Sequence, residues 1–557
     1  MRPLGLLTIA LLTSTTSAQQ SAEIVFHGGV VRTLEAARPR ASAVAVADGR
    51  ILFVGSDAEA LALAGPETRR VDLRGRALYP GFIDAHGHLE GYAQALLTVD
   101  LMGTTSYAQV VERIRERAAT LPAGEWVLGR GWDQNDWEIA EFPHHGALSA
   151  AVPDHPVAVR RVDGHALLAN AEALRRSGID HDTPDPPGGR VLRDAEGRPT
   201  GVLVDRAMGL LNTAGAETGR EALRSGVRRA IARLHERGIT GIHDAGVGSG
   251  TIRLFEEMAR AGQFDLRDYV MVSGDPRTLA EWLPRGPVKD LDGGGRIKVR
   301  AIKLSADGAL GSRGAALLAD YADEPGVRGL VTTPRERVEA VARQALAAGF
   351  QLCVHAIGDR ANREVLDAFE AALRAHPSPD HRFRVEHAQV LAPAEIGRFA
   401  QLGVVPSMQA QHQTSDMYWA ETRLGPTRVR GAYAWRALLD SGVVIPGGSD
   451  FPVEDPDPIA AYRAAVARVD AALWPVGGWY VDQRMRPGEA LAHLTLWPAW
   501  AAFDEDRLGS IRAGKLADLV VLTHDLVDCP VAELAAVRVE MTVFAGRVVY
   551  ERGLAER

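Results

Sequence analysis

At 557 residues the chain is too long for one small domain, and a β/α barrel of about 250 residues with additions would account for it. Its 46% hydrophobic and 24% charged content is that of a folded globular protein, which excludes disorder as the default. A formal charge of −8, with no dense Lys/Arg run, argues against a nucleic-acid partner.

The chain opens on Met1-Arg2, a mostly apolar Leu4–Leu12 and the small residues Thr16-Ser17-Ala18. That order reads as a signal peptide over residues 1–18, so the mature protein is expected to be periplasmic or secreted. The apolar stretch is far shorter than the roughly 20 residues of a membrane span, and no other segment qualifies, so no stable membrane insertion is expected. Strand patterning begins at Ile24, and Glu23 to Leu34 reads as two short strands around Gly28-Gly29. Near the other end, Val543-Phe544-Ala545-Gly546-Arg547-Val548-Val549 resembles Val25-Phe26-His27-Gly28-Gly29-Val30-Val31. Two matched hairpin sequences predict that residues 23–75 and 505–557 together build a small β-sandwich.

Between them, residues 76–495 alternate strands and helices. Thr333-Pro334-Arg335-Glu336 is a helix start with Thr333 as N-cap. Val338, Val341, Ala342 and Ala345 then form one apolar face and Gly349 stops the helix. A second helix runs from Arg360 to His376. Eight strands are expected: Leu78–Ala85, Ile239–His243, Asp268–Val272, Ile297–Lys303, Phe350–Val354, Arg382–Glu386, Val404–Met408 and Val443–Gly447. That count and rhythm predict an α/β fold with a closed (β/α)8 TIM-like barrel. The gap between the first two strands is too long for one crossover, so residues 104–225, with Trp126, Trp132 and Trp137, read as an inserted subdomain. The two cysteines, Cys353 and Cys529, can pair under oxidising conditions, but their spacing does not demand it, and Cys353 reads better as a buried free thiol.

In such a barrel, functional residues lie at the C-terminal ends of strands. Here those ends carry His86 and His88, then Lys303, His355, His387 and Asp450. Any one of them is weak evidence in a chain with 17 histidines. Six residues of ligand type, each closing an apolar run in barrel order, point to a metal centre. Neutral imidazoles suit zinc and Asp450 adds a hard oxygen. An ammonium has no lone pair, so Lys303 fits only if its neutral amine has reacted with carbon dioxide to give a bridging carbamate. His243-Asp244 at the second strand end and Gln409 and His412 after the seventh are pocket candidates. In the insertion, Trp132 could stack on an apolar substrate group and His165 could donate to its carbonyl, although packing and a capped turn explain them as well.

The run Pro80-Gly81-Phe82-Ile83-Asp84-Ala85-His86-Gly87-His88 resembles the amidohydrolase superfamily, in its YtcJ-like branch (amidohydrolase family 3). So do Lys303-Leu304-Ser305-Ala306-Asp307-Gly308-Ala309-Leu310-Gly311-Ser312-Arg313, Val354-His355-Ala356-Ile357-Gly358-Asp359 and Arg384-Val385-Glu386-His387-Ala388-Gln389. Pro406-Ser407-Met408-Gln409, Gly448-Ser449-Asp450-Phe451-Pro452-Val453 and Gly514-Lys515-Leu516-Ala517-Asp518-Leu519 extend the likeness from about residue 23 to 550. The resemblance implies metal ligation by His86, His88, Lys303 as carbamate, His355, His387 and Asp450. Gly314, where relatives often carry Thr, and Ala410-Gln411-His412 depart from the family pattern near the substrate side.

The expected activity is hydrolysis of a non-peptide C–N bond, amide or amide-like, in a small-molecule substrate. One or two divalent ions, zinc first among them, would supply metal-activated hydroxide, and Asp450 would carry the proton to the leaving amine. The same centre acting on an ester, lactone, carbamate or phosphoester is a second reading, and an exported non-enzymatic metal-binding protein a third. A homo-oligomer is compatible with all three.

Overall fold

Eight parallel strands form the central sheet: β1 (Phe82–Gly87), β2 (Ile239–Val247), β3 (Arg267–Ser273), β4 (Ile297–Ser305), β5 (Gln351–Ala356), β6 (Arg384–His387), β7 (Val405–Gln409) and β8 (Gly447–Gly448). Each pairs with the next in chain order. The seam between β8 and β1 is drawn together by Asp450 N donating to His86 O at 2.7 Å and His88 N donating to Phe451 O at 2.8 Å. The computed structural model describes residues 21–213 and 219–553, so the expected signal peptide lies outside the described residues. Among the described residues no helix is long and apolar enough to cross a membrane.

The strands are buried on both faces, as a sheet sheathed in helices requires. The helix Arg335–Ala348 buries Val338, Val341, Ala342 and Ala345 and ends at Gly349, whose φ of 80° needs a residue without Cβ strain. Its start differs from expectation. Pro334 is the N-cap and no side chain caps the turn, because the Thr332 and Thr333 amides both donate to Ala306 O and hold the chain extended. The first expected strand divides at Gly81: Ala77–Pro80 belongs to the terminal β-domain and only Phe82–Gly87 to the barrel. A Cβ at Gly81 would lie 2.2 Å from Thr240 Oγ1, so the chain passes there as bare backbone. The eighth strand is two residues long, starting after Pro446.

Both ends of the chain build a two-sheet sandwich. One sheet runs Arg50–Gly55, Ala43–Ala47, Ala22–His27, Ala64–Asp72. The other runs Arg547–Glu551, Val539–Phe544, Leu519–Leu522, Ala77–Pro80, Val30–Arg32, Arg40–Ala41. Phe26, Val44 and Val46 from the first meet Leu78, Leu519, Val521 and Val543 from the second. Val539–Phe544 and Arg547–Glu551 are an antiparallel hairpin, but Ala22–His27 and Val30–Arg32 are not. The turn at Gly28, with φ of 70°, sends its two strands into opposite sheets.

Between β1 and β2 a six-stranded sheet runs Gly189–Arg193, Pro199–Asp205, Ala166–Ala169, Val157–Arg161, Val127–Trp132, Val99–Asp100. It takes in residues upstream of 104, and the helix Arg220–Glu236 returns the chain to the barrel, where Gly226 lies against Ala93.

Asp525 ties the two ends together. Arg32 Nη2 donates to it at 2.5 Å, as does Tyr79 OH at 2.5 Å, and Tyr79 OH in turn accepts from Leu526 N at 2.7 Å. Burial would raise the Asp525 pKa, but the Arg32 and Tyr79 hydrogen bonds outweigh it and hold the carboxyl below its ordinary 3.8. A depressed folded-state pKa stabilises above 3.8 and the contribution is lost as pH falls through the folded value. Asp525→Asn is therefore expected to cost about 1–3 kcal/mol at neutral pH. The gap to wild type should narrow in acid, read from urea denaturation at a series of pH values; a gap that stays constant would show that ionisation of Asp525 does not carry the tie.

Candidate metal centre

β1 delivers His86 at its end and His88 at the turn into the helix Leu89–Ala95. Gly87 between them leaves no room for a side chain, since a Cβ there would come 2.1 Å from the Phe451 ring. Both imidazoles turn Nε2 toward one oxygen of Asp450: His88 at 3.0 Å and His86 at 3.7 Å from Oδ1. Their other nitrogens are committed. His86 Nδ1 donates to Glu386 Oε2 at 2.5 Å and His88 Nδ1 to Ala245 O at 2.9 Å.

On the far side of Asp450 stand His387 and His412, the latter with Nε2 4.0 Å from Oδ2. The donor atoms of His86, His88 and Asp450 lie within 4.8 Å of one another, and so do those of His387, His412 and Asp450. His387 Nδ1 donates to Gln409 Oε1 at 2.7 Å, which leaves Nε2 for the centre. His355 packs on His387 with ring centroids 4.6 Å apart, its Nε2 3.4 Å from both Asp307 Oδ1 and Gly308 O. Lys303 and His355 line the same cavity of about 780 Å³ as His86, His88, His387 and Asp450, and His355 joins neither tight group.

The electrostatics suit a cation. Burial pushes His86 down to about 4 and lowers His355, His387 and His412, so the imidazoles are neutral and keep a lone pair. Burial would raise Asp450, but the His88 hydrogen bond and the facing imidazoles hold it well below the usual carboxylate range. Burial also lowers Lys303. His86 Nε2 and His412 Nε2 are buried with no hydrogen-bond partner among the described residues. Unsatisfied buried acceptors around one carboxylate fit a divalent ion, and metal-binding histidines have their second nitrogen anchored in just this manner.

Three expected pocket residues lie elsewhere. His243 is buried inside the barrel, 2.8 Å from Arg384 Nη1 and against Tyr269, because β2 runs on to Val247 and the strand end lies four residues later. Trp132 is fully buried in the core of the insertion, its Nε1 donating to Val159 O at 2.9 Å, with Trp137 and Phe142 around it. Gln409 is buried behind His387, its Oε1 accepting from His387 Nδ1.

His165 and His412 do reach the site, which a second cavity of about 270 Å³ joins from the other side. His165, at the turn before Ala166–Ala169, has its ring 5.1 Å from His355. Its Nδ1 donates to Asp205 Oδ1 at 2.6 Å. Burial alone would lower it, but the Asp205 hydrogen bond and charge raise it to about 9. A Cβ on Gly314 would lie 2.6 Å from Asp205 Oδ2, so the departure from Thr at Gly314 leaves room for that carboxylate. Glu386, Arg384 and Asp205 join the expected residues at the site. The first two had a signal: an Arg and a Glu two apart within a buried strand must pair with something.

Barrel, terminal sandwich and a cluster of candidate metal-ligating side chains at the strand ends give the architecture of a barrel hydrolase. The chain belongs to the amidohydrolase family, whose model matches residues 69–550. It is 33% identical to the amidohydrolase-type protein YtcJ of Bacillus subtilis over 95% of this chain and 99% of that one. It is 30% identical to the N-substituted formamide deformylase of Arthrobacter pascens, over 96% and 99%. Among solved structures, an uncharacterized metal-dependent hydrolase of Pyrococcus horikoshii superposes with a TM-score of 0.72 at 25% identity, covering 91% of this chain and 99% of that one.

Glu386→Gln removes the charge behind His86, and the expected effect is roughly 10- to 100-fold weaker metal affinity, read by competition with a chelator. Retained affinity would show that Glu386 does not orient the ligand. Trp132→Ala is expected to cost about 3–5 kcal/mol in denaturant unfolding as a core deletion. A change in substrate KM without loss of stability would restore a contact role.

Proposed function

We propose that the protein hydrolyses a non-peptide C–N bond, amide or amide-like, of a small molecule with a divalent metal, zinc being the ion that the imidazole-rich donor set favours. The observation that carries this reading is the convergence of the His86 and His88 Nε2 atoms on Asp450, each Nδ1 already spoken for. The Arthrobacter relative is named an N-substituted formamide deformylase, and a formamide is an amide.

His86, His88 and Asp450 would hold one ion; Lys303, His355 and His387 would complete a second position. A bound divalent ion supplies a Lewis acid and a water whose pKa is near 7. Lys303 reaches the ligand set as a carbamate: its neutral amine forms a bond to carbon dioxide and loses a proton, and burial of the side chain favours the neutral amine. Asp450 accepts a proton from the attacking water and returns it to the departing nitrogen, a transfer an amine needs and an alkoxide needs less. His165, kept charged by Asp205, donates Nε2–H toward the carbonyl oxygen as negative charge develops there.

Metal-replete Asp450→Asn, its metal content verified, is expected to lose about 10²–10⁴-fold in kcat. Retained turnover would remove the proton-transfer role. On a mixed panel of formamides, other amides and esters, the wild type is expected to turn over amides; activity confined to esters would overturn the C–N reading.

A further inference from the structure

The insertion gives the 780 Å³ cavity a wall as well as His165. Val127–Trp132 and Val157–Arg161 run parallel with Arg130 directly beside Arg160. Side chains alternate along a strand, so Leu128 and Arg130 share a face with Ala158 and Arg160, and all four line the cavity. The opposite face sends Val127, Val157 and Val159 into the core of the insertion.

Like charges directly abreast in a sheet repel. Among the described residues neither guanidinium has a carboxylate partner: Arg130 Nη2 donates to Val162 O at 2.6 Å, and Arg160 Nη1 lies 3.7 Å from Met208 Sδ. Arg130 Nε is buried without a partner. Burial lowers both pKa values, Arg130 to about 10, so both stay charged. The carboxylates on the same cavity have their short contacts elsewhere, and Asp450 and Asp163 act on Arg130 only through space. Asp163 accepts from Arg161 at 2.6 Å, Glu90 accepts from Gln94 and Thr251, and Asp450 faces His88. Asp244 accepts from Leu89 N and is pushed up to about 7 by burial. Arg130 is half-buried and Arg160 beside it is exposed, and an anion that meets both would offset their repulsion.

We propose that Arg130 and Arg160 form an anion subsite that binds a carboxylate borne by the substrate away from the scissile bond, making the substrate class a small amide that is also an acid. The subsite deepens the C–N hydrolysis reading above and rests on it. The planar fork of arginine matches a carboxylate bidentately, and the half-buried Leu128 on the same face offers an apolar contact for the carbon skeleton between the two ends. The carboxylate fixes which way round the amide lies before the centre.

The test compares para-formamidobenzoate with para-formamidobenzamide, which differ only in the charge of the distal group. Wild type is expected to favour the acid by roughly 10- to 100-fold in kcat/KM. Arg130→Gln and Arg160→Gln should each collapse that ratio through KM, and Arg130→Lys should recover part of it. A wild-type ratio near one, or variants that lower both substrates equally, would overturn the subsite. Calorimetry of the acid on metal-loaded wild type and on the double Gln variant separates the two readings. If neither compound is hydrolysed but the acid binds wild type at least about tenfold more tightly than the variant, the subsite stands and C–N hydrolysis of such amides falls. Equal binding sinks the subsite.

Discussion

The whole centre depends on one buried charge, the carboxylate of Glu386. It is fully buried, and a lone carboxylate there would cost several kcal/mol. Arg384 meets it with Nε 2.7 Å from Oε1, and His86 Nδ1 meets the other oxygen at 2.5 Å. Burial alone would raise the Glu386 pKa, but these partners hold it well below the usual carboxylate range. Arg384 then spends its remaining donors on Ala85 O at 2.6 Å and Ser407 Oγ at 2.7 Å. One ion pair thus links the backbone of β1 with side chains of β6 and β7, and its last contact, His243, comes from β2. The aim of His86 Nε2 follows from a network whose other members never touch the cavity.

Strain appears where that rigidity is used. His387 and Asp450 both have positive φ, 72° and 60°, a region that costs a non-glycine residue of order 1–3 kcal/mol. Each is the point where an apolar strand ends and a donor must swing inward. At Asp450 the backbone is pinned by Asp450 N donating to His86 O, and the preceding Ser449 is fixed by Oγ donating to Asp84 Oδ2 at 2.6 Å. The packed barrel supplies the stability that keeps both residues in these conformations.

The barrel was legible because its strands are buried on both faces and so read as apolar runs closed by a polar residue. The two-sheet sandwich was legible from the likeness of its ends. The N-terminal hairpin was misread for a physical reason: an apolar–Gly-Gly–apolar sequence sets a turn, but the sheet each arm joins is decided by partners hundreds of residues away. His243 and Trp132 show the same limit. A histidine four residues short of a strand end falls one layer deeper, and a tryptophan beside a Gly-Arg-Gly run has no sequence mark that separates core from cavity. Asp205 acts through another side chain, His165, and nothing in its sequence neighbourhood marks that pairing.

The division of labour between barrel and insertion follows from side-chain periodicity. The candidate ligands come from strand ends, and each imidazole is held from behind, His86 by Glu386, His88 by Ala245 O and His387 by Gln409. The facing wall is a sheet whose alternate residues point into its own core, and on the other face Arg130 and Arg160 reach the cavity while Leu128 and Ala158 pack in a second cluster with Leu167 and Leu203. Arg130 and Arg160 therefore stand apart from both cores of the insertion. His165 sits on the insertion but is hydrogen-bonded to Asp205, whose carboxylate lies against Gly308 and Gly314 of the barrel loop.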